Sequence, residues 1–238
     1  MKKILSIMLM ALTVLSAGFA AEKKGDGVMT YAEYAAADLD SQVVVETYVQ
    51  AKQSWWNNKG TFYTQDKDGG AYFLYEMPCT EEEYNKLVPG TKIRVTGYKA
   101  EWSGEVEIVD AKYEILKGKY IAKAENVTKL LGTDELIKKQ NMFVAFKKMK
   151  VEPSIDADGN EVPWMYKWNG TGTEGDDLYF NVSFNGNKYT FTVESYLCGK
   201  DTDVYKAVKN LKIGDVISME GFCYWYNGLN PHITKVTK

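Results

Sequence analysis

The chain has 238 residues, 45% hydrophobic and 13% aromatic, with 29 basic and 32 acidic side chains and a formal net charge of −3. That length can bury a core without covalent staples, and an odd count of three cysteines, Cys79, Cys198 and Cys223, excludes a fully paired disulfide framework. Arg94 is the sole arginine, so the composition counts against nonspecific nucleic-acid binding and against two-pronged gripping of phosphate.

In chain order, the first element is a basic start, Lys2 and Lys3, before an apolar run from Ile4 to Leu15. Small residues Gly18 and Ala20 follow, which predicts a secretory signal over residues 1–20, cut after Ala20. No cysteine follows the run to carry a lipid anchor, and its removal takes the net charge to −5. The expected location is exported, periplasmic or extracellular. No later apolar run approaches the ~20 residues that span a bilayer.

Ser41 to Gln50, "SQVVVETYVQ", reads as a long first strand. "QSWWNNKGTFYTQD" follows, Gln53 to Asp66. Neighbours in a strand point to opposite faces, so Trp55 and Trp56 do not both enter one core. Gly60 to Asp66 and Ala71 to Glu76 read as the second and third strands, joined by the turn Asp66-Lys67-Asp68-Gly69-Gly70. Thr80 to Leu87 reads as a short helix, with Thr80 and Glu83 at capping-box spacing. A fourth strand with an internal glycine and a fifth, Glu105 to Ile115, complete the set.

The pattern then repeats. "KLVPGTKIRVTGYKAEWSG", Lys86 to Gly104, aligns without gaps on "NLKIGDVISMEGFCYWYNG", Asn210 to Gly228, at a constant offset of 124. Leu87 meets Leu211, Gly90 meets Gly214, Gly97 meets Gly221, Trp102 meets Tyr226, and Gly104 meets Gly228. Upstream, Asn141 to Val151, Asp177 to Phe184 and Lys188 to Glu194 read as three strands, Asp201 to Leu211 as the helix, and Asn230 to Val236 as the last strand. Each copy runs strand, strand, strand, helix, strand, strand.

That order, with "VPGTKIRVTG" at Val88 to Gly97, resembles bacterial OB-fold domains, in particular those that bind nucleic acid. The resemblance implies a mainly β protein of two five-stranded Greek-key OB-fold barrels in tandem, each with a short helix between strands three and four. The first spans 29–118 and the second 126–237, with a long loop, 153–176, inserted between the second barrel's first two strands.

In OB folds the loop between strands one and two and the loop between strands four and five flank the usual binding face. Trp55, Trp56 and Trp102 fall in those loops of the first copy. Trp164, Tyr166 and Trp168, then Trp225 and Tyr226, fall in those of the second. Such rings stack on bases or sugar faces, or close the barrel ends by packing on one another. Net charge divides as −6 over residues 29–118 and −1 over 125–238, so Lys147 and Lys148 are the candidate polyanion contacts.

Other chemistry is sparse. Asp156-Ala157-Asp158-Gly159 resembles the start of a calcium loop, but the twelfth position is Lys167 rather than a bidentate glutamate, so it reads as a turn. His232 is the sole histidine and matches Ile108 of the first copy. No metal site, cofactor or catalytic residue is assigned. The resulting expectation is a noncatalytic exported binding protein with an extended ligand. Single-stranded nucleic acid is the partner the resemblance implies, an oligosaccharide or a protein or peptide of the cell envelope is the alternative, and a small secreted hydrolase stands third.

Overall fold

The computed structural model describes residues 27–238, so the expected export signal at residues 1–20 lies outside the described residues. Ten strands carry the architecture. They are β1 (Gln42–Lys52), β2 (Lys59–Gln65), β3 (Ala71–Pro78), β4 (Thr91–Trp102), β5 (Glu105–Lys119), β6 (Phe143–Glu152), β7 (Leu178–Phe184), β8 (Asn187–Val193), β9 (Val216–Phe222) and β10 (His232–Thr237). The first five close as β1-β2-β3-β5-β4, with β1 returning to β4 and β3 running parallel to β5. The second five repeat this: β6 pairs with both β7 and β9, and β8 meets β10 in parallel at Thr192 and His232. This is the OB-fold connection, made twice, and it abolishes free sheet edges by closure.

Alternation explains the interiors. Val43, Val45 and Val49 of β1, Tyr72 and Leu74 of β3, and Ile93 and Val95 of β4 turn into the first barrel, all buried. Val144, Phe146, Met149 and Val151 of β6 do the same in the second. Phe146 and Met149 are three apart, which strict alternation forbids. Lys148 sits between them at φ +55, the register of β9 slips there, and the bulge restores the inward direction. Each fully buried Leu, Ile, Val or Phe contributes about 1.5–3 kcal/mol.

The glycine repeat has a physical cause. Gly90 and Gly214 both adopt φ +92, and their N–H groups bond to Val49 O and Val151 O at 2.7 and 2.9 Å. Each turns the chain from helix into fourth strand and ties it to the first strand. Gly97 lets the fifth strand pass close: a methyl there would stand 2.6 Å from Ile108 Cγ2 and 2.8 Å from Val109 O.

Helices are short: α1 (Tyr31–Ala36), α2 (Glu81–Lys86) and α3 (Asp203–Lys209). The helices α2 and α3 fall between strands three and four of their barrels, and the capping box of Thr80 and Glu83 forms as expected. Among the described residues no helix is long and apolar enough to cross a membrane. The segment between β6 and β7 is ordered by small pairings, Ser154–Ile155 against Glu161–Val162 and Met165–Tyr166 against the edge of β7. Asp156 Oδ1 accepts N–H bonds from Asp158 and Asn160 at 3.0 and 2.8 Å, the turn its sequence predicts. Cys79, Cys198 and Cys223 are all buried free thiols.

The barrels meet face to face. Tyr63 of β2 and Phe73 of β3, turned outward from the first barrel, form a separate cluster with Phe222 of the second, against which Phe143 and Tyr224 pack. Tyr63 stacks on Phe222 with ring centroids 4.4 Å apart. Gln140 Nε2 donates to Gly104 O at 2.7 Å, and Asn141 Nδ2 to Val106 O at 3.0 Å. The strand-two and strand-three face that an OB fold commonly offers to ligand is, in the first barrel, covered by the second.

Candidate ligand-binding surface

The paired tryptophans divide their work. Asn57 and Asn58 take φ +48 and +58, and Trp56 and Lys59 exchange backbone bonds at 3.1 and 2.9 Å. That is a two-residue hairpin with both central residues left-handed, a conformation asparagine tolerates. Trp55 turns inward from it. Its ring packs on the first core, and its Nε1–H donates to Cys79 O at 3.0 Å. Trp56, at the base of the turn, points out and is 70% exposed.

Trp56 borders a cleft of about 340 Å³ whose walls also include Tyr75, Lys59, Glu76 and Tyr196. Tyr75 projects from β3 beside the joint, 43% exposed. Tyr196 comes from the second barrel and is 67% exposed. Its turn is held firmly: the buried Glu194 accepts the N–H groups of Tyr196 and Leu197 at 3.1 and 3.0 Å. The turn is also tied to the first barrel, because Ser54 N–H donates to Tyr196 O at 2.7 Å. On the cleft wall, Lys59 Nζ meets Glu76 Oε2 at 2.7 Å, and this bond raises the lysine above its ordinary pKa.

The other predicted rings lie elsewhere. Trp102 and Tyr226 pack against each other with their rings tilted, centroids 5.1 Å apart, across the joint between the two strand-four-to-five loops. Trp225 N–H donates to Glu105 Oε2 at 2.9 Å, and its ring packs on the second core. These three residues tie barrel to barrel, although Trp102 and Tyr226 keep 55 and 46% of their surface exposed. Trp164 packs on the second core with its Nε1–H on Lys209 O at 3.0 Å. Tyr166 sits edge-on to it and donates to Glu174 at 3.0 Å. Trp55, Trp164 and Trp225 are therefore anchors rather than walls of an open cleft. Trp168 projects alone, 72% exposed. Lys147 and Lys148 lie on β6; Lys147 reaches Glu220 at 3.6 Å, and Lys148 is exposed on the bulge. The ten predicted residues do not converge on one surface.

Two of the cleft's three rings, Tyr75 and Tyr196, lay outside the sequence expectation. Tyr75 carried a readable signal, since "AYFLYE" alternates and Tyr72 and Leu74 claim the inner face, leaving Phe73 and Tyr75 outside. Tyr196 carried none, because its place depends on how the barrels dock.

Ionisable groups cluster at the joint, not in the cleft. Burial pushes Glu105 up to about 8, and burial with the nearby Glu76 pushes Glu107 up to about 7. Burial likewise raises Glu194 to about 7 and presses His232 down to about 3. Among the described residues no three His, Cys, Asp or Glu side chains gather as metal ligands.

No protein-family model matches the chain, and no curated protein matches it. Solved structures with similar backbones include a HIN domain in complex with 20-bp double-stranded DNA, at 10% identity and a TM-score of 0.38 over 83% of this chain and 100% of that one. A murine DNA-binding protein bound to double-stranded DNA gives 11% identity and a TM-score of 0.37 over 82% of this chain and 97% of that one. A deletion variant of the single-stranded DNA-binding protein from Thermus aquaticus gives 12% identity and 0.26 over 83% and 93%. The DNA in these descriptions belongs to those proteins; what this chain binds is argued from its own surface.

Proposed function

We propose that this is a noncatalytic exported binding protein, periplasmic or extracellular, whose two OB barrels hold a ring-bearing extended ligand by stacking. One observation carries the reading: Trp56, Tyr75 and Tyr196, three large exposed rings, line a single cleft to which both barrels contribute. A large apolar ring held out in water by a firmly bonded turn is a common mark of a binding surface, because aromatic contacts lose little side-chain entropy on binding. Single-stranded nucleic acid is the ligand class an OB fold first suggests, with bases stacked on such rings. Fold alone does not assign it, so oligosaccharide and peptide stand beside it.

The noncatalytic part rests on where the acid–base groups lie. The one imidazole is buried at the joint, neutral and hydrogen-bonded to Tyr63. Glu105 is sealed behind the strand-four-to-five loops. The cleft's own carboxylate, Glu76, is held in an ion pair.

The test is a titration of the purified protein with an oligothymidylate and with oligosaccharides, following tryptophan fluorescence. The expected result is saturable binding to one of them that is lost in Trp56→Ala and in Tyr196→Ala. Binding that persists unchanged in both variants removes the cleft from consideration, and release of cleavage products from either polymer overturns the noncatalytic reading.

A further inference from the structure

We infer that the ligand of the cleft between Trp56, Tyr75 and Tyr196 is an uncharged oligosaccharide. This rests on the binding reading above and narrows it to one chemistry.

A strand of nucleic acid carries one negative charge per nucleotide, and proteins that stack its bases also line the groove with free cations. The cleft does the opposite. Among the described residues its one cationic side chain is Lys59, bonded to Glu76 at 2.7 Å, so their lining carries no net charge. A phosphate reaching Lys59 would sit beside the Glu76 carboxylate and be repelled by it. Glu107 of β5 sits close enough to Glu76 that the two oppose each other's ionisation. The sole arginine of the chain is far from use here, since Arg94 is bonded to Glu46 at 2.8 Å on the outer face of β4. The first barrel as a whole holds six more acids than bases.

A neutral sugar meets each of these features favourably. The axial C–H face of a pyranose is apolar and weakly positive, which suits the negative π face of tryptophan and tyrosine. Its hydroxyls both donate and accept. The cleft supplies partners of both kinds around the rings. Gln53 keeps its amide oxygen while its Nε2 donates to Tyr63, the Ser54 hydroxyl keeps its acceptor side while donating to Tyr196 O, and the Lys59–Glu76 pair sets an ammonium beside a carboxylate. A carboxylate that accepts from sugar hydroxyls keeps its ion pair, because each carboxylate oxygen has more than one acceptor direction. An aromatic floor with a few convergent polar groups is the usual make-up of a small-molecule site. Trp56 and Tyr196 stand on different barrels yet line the same cleft, so a chain of sugar residues laid along it meets rings from both.

The experiment is a titration with a panel of neutral hexasaccharides (β- and α-glucans, a mannan, a xylan and a chitin fragment) alongside a dodecameric oligothymidylate, each at low and high salt. The expected result is saturable tryptophan quenching by at least one sugar, with an affinity that salt does not change. Trp56→Ala and Tyr196→Ala should each weaken it by on the order of tenfold, the scale of one lost aromatic contact. Both residues are exposed, so the variants should keep the native circular dichroism spectrum, which is the check on folding. If the oligothymidylate binds instead, with steep salt dependence and loss in Trp56→Ala, the sugar assignment fails while the stacking function stands. If no probe binds, both fall. If a sugar binds equally well to both variants, the site lies elsewhere and the cleft assignment is wrong.

Discussion

The hydroxyl of Tyr63, on the outer face of the first barrel, lies 2.6 Å from Nδ1 of His232 in the second. Gln53 Nε2 donates to the same hydroxyl at 3.3 Å, so the Tyr63 oxygen bonds to both barrels. Tyr224 stacks flat on His232, 4.2 Å between centroids. All of this is closed off from water: Tyr63 is fully buried and His232 nearly so. Tyr63→Phe removes the hydroxyl bonded to Nδ1 and leaves a buried ring nitrogen without that partner. The expected loss is about 1–3 kcal/mol of stability. Urea unfolding should show it as a lower midpoint, and a midpoint unchanged from the parent would mean that the joint opens to water in solution.

The joint also sets the pH dependence of folding. In the unfolded chain carboxyls titrate near ~4.3 and imidazole near ~6.5. Folded, burial carries Glu105 up to about 8 and both Glu107 and Glu194 to about 7, so the native state holds more protons than the unfolded one between those limits. Their contribution is complete at acid pH and is lost as pH rises through about 7 to 8. His232 behaves oppositely: its folded value of about 3 means that its contribution is complete above ~6.5 and is lost as pH falls. Three carboxyls outweigh one imidazole, so Tm should decline from pH ~5 to pH ~8. Glu105→Gln should flatten that decline. The amide still accepts from Trp225 N–H, and it gains a donor for Asn141 Oδ1, which like Glu105 Oε1 is buried without a partner. Thermal scans of the two proteins across that range decide it; a Tm that rises with pH would refute the buried-acid account.

Much of the scaffold was legible. Gly90 and Gly214 recur because the same left-handed turn is needed twice, and a repeat in sequence exposes a repeat in backbone geometry. Thr80 and Glu83 announced a helix start through local bonding alone. What remained hidden was everything set by docking. Alternation in β2 and β3 sorts Tyr63 and Phe73 onto the outer face but does not say that a second barrel covers them. The repeat placed Trp102 opposite Tyr226 in an alignment, where they read as two equivalent loop aromatics. In space they are partners in one ring contact. Trp55 and Trp164 read as loop residues, yet each uses its indole N–H to close a carbonyl at a barrel end. The cleft needed Tyr196 from the other barrel, and no local pattern marks that.

The two strand-four glycines give a graded prediction. At Gly221 a methyl would run into the backbone of His232 and Ile233 on the paired strand, where nothing yields without moving β10. At Gly97 it meets Ile108 Cγ2 and Val109 O, the first of which belongs to a side chain. At Gly186, a hairpin position at φ +82, the methyl meets open space and the cost is backbone strain alone. Gly186→Ala should therefore cost roughly 1–2 kcal/mol. Gly97→Ala should cost about 1–3 kcal/mol, and Gly221→Ala more than either. Chemical denaturation of the three variants should rank them in that order, and Gly221→Ala as mild as Gly186→Ala would contradict the close approach of β9 and β10.

Trp55 and Trp56 are neighbours with opposite expectations. Trp55→Ala deletes a half-buried ring that packs on the first core and frees the carbonyl of Cys79, so it should destabilise the protein by about 1–3 kcal/mol. Trp56→Ala deletes a ring that is 70% exposed and sits on a hairpin whose shape Asn57 and Asn58 set, so stability should stay within about 0.5 kcal/mol of the parent. Ligand response should divide the other way. Trp55→Ala, measured at a temperature where it is still folded, should keep its affinity, because Trp55 does not border the cleft. Trp56→Ala should bind on the order of tenfold more weakly while melting normally. A single pair of variants, read by melting and by titration, thus separates the ring that builds the barrel from the ring that serves it, and equal effects in both assays would undo the division.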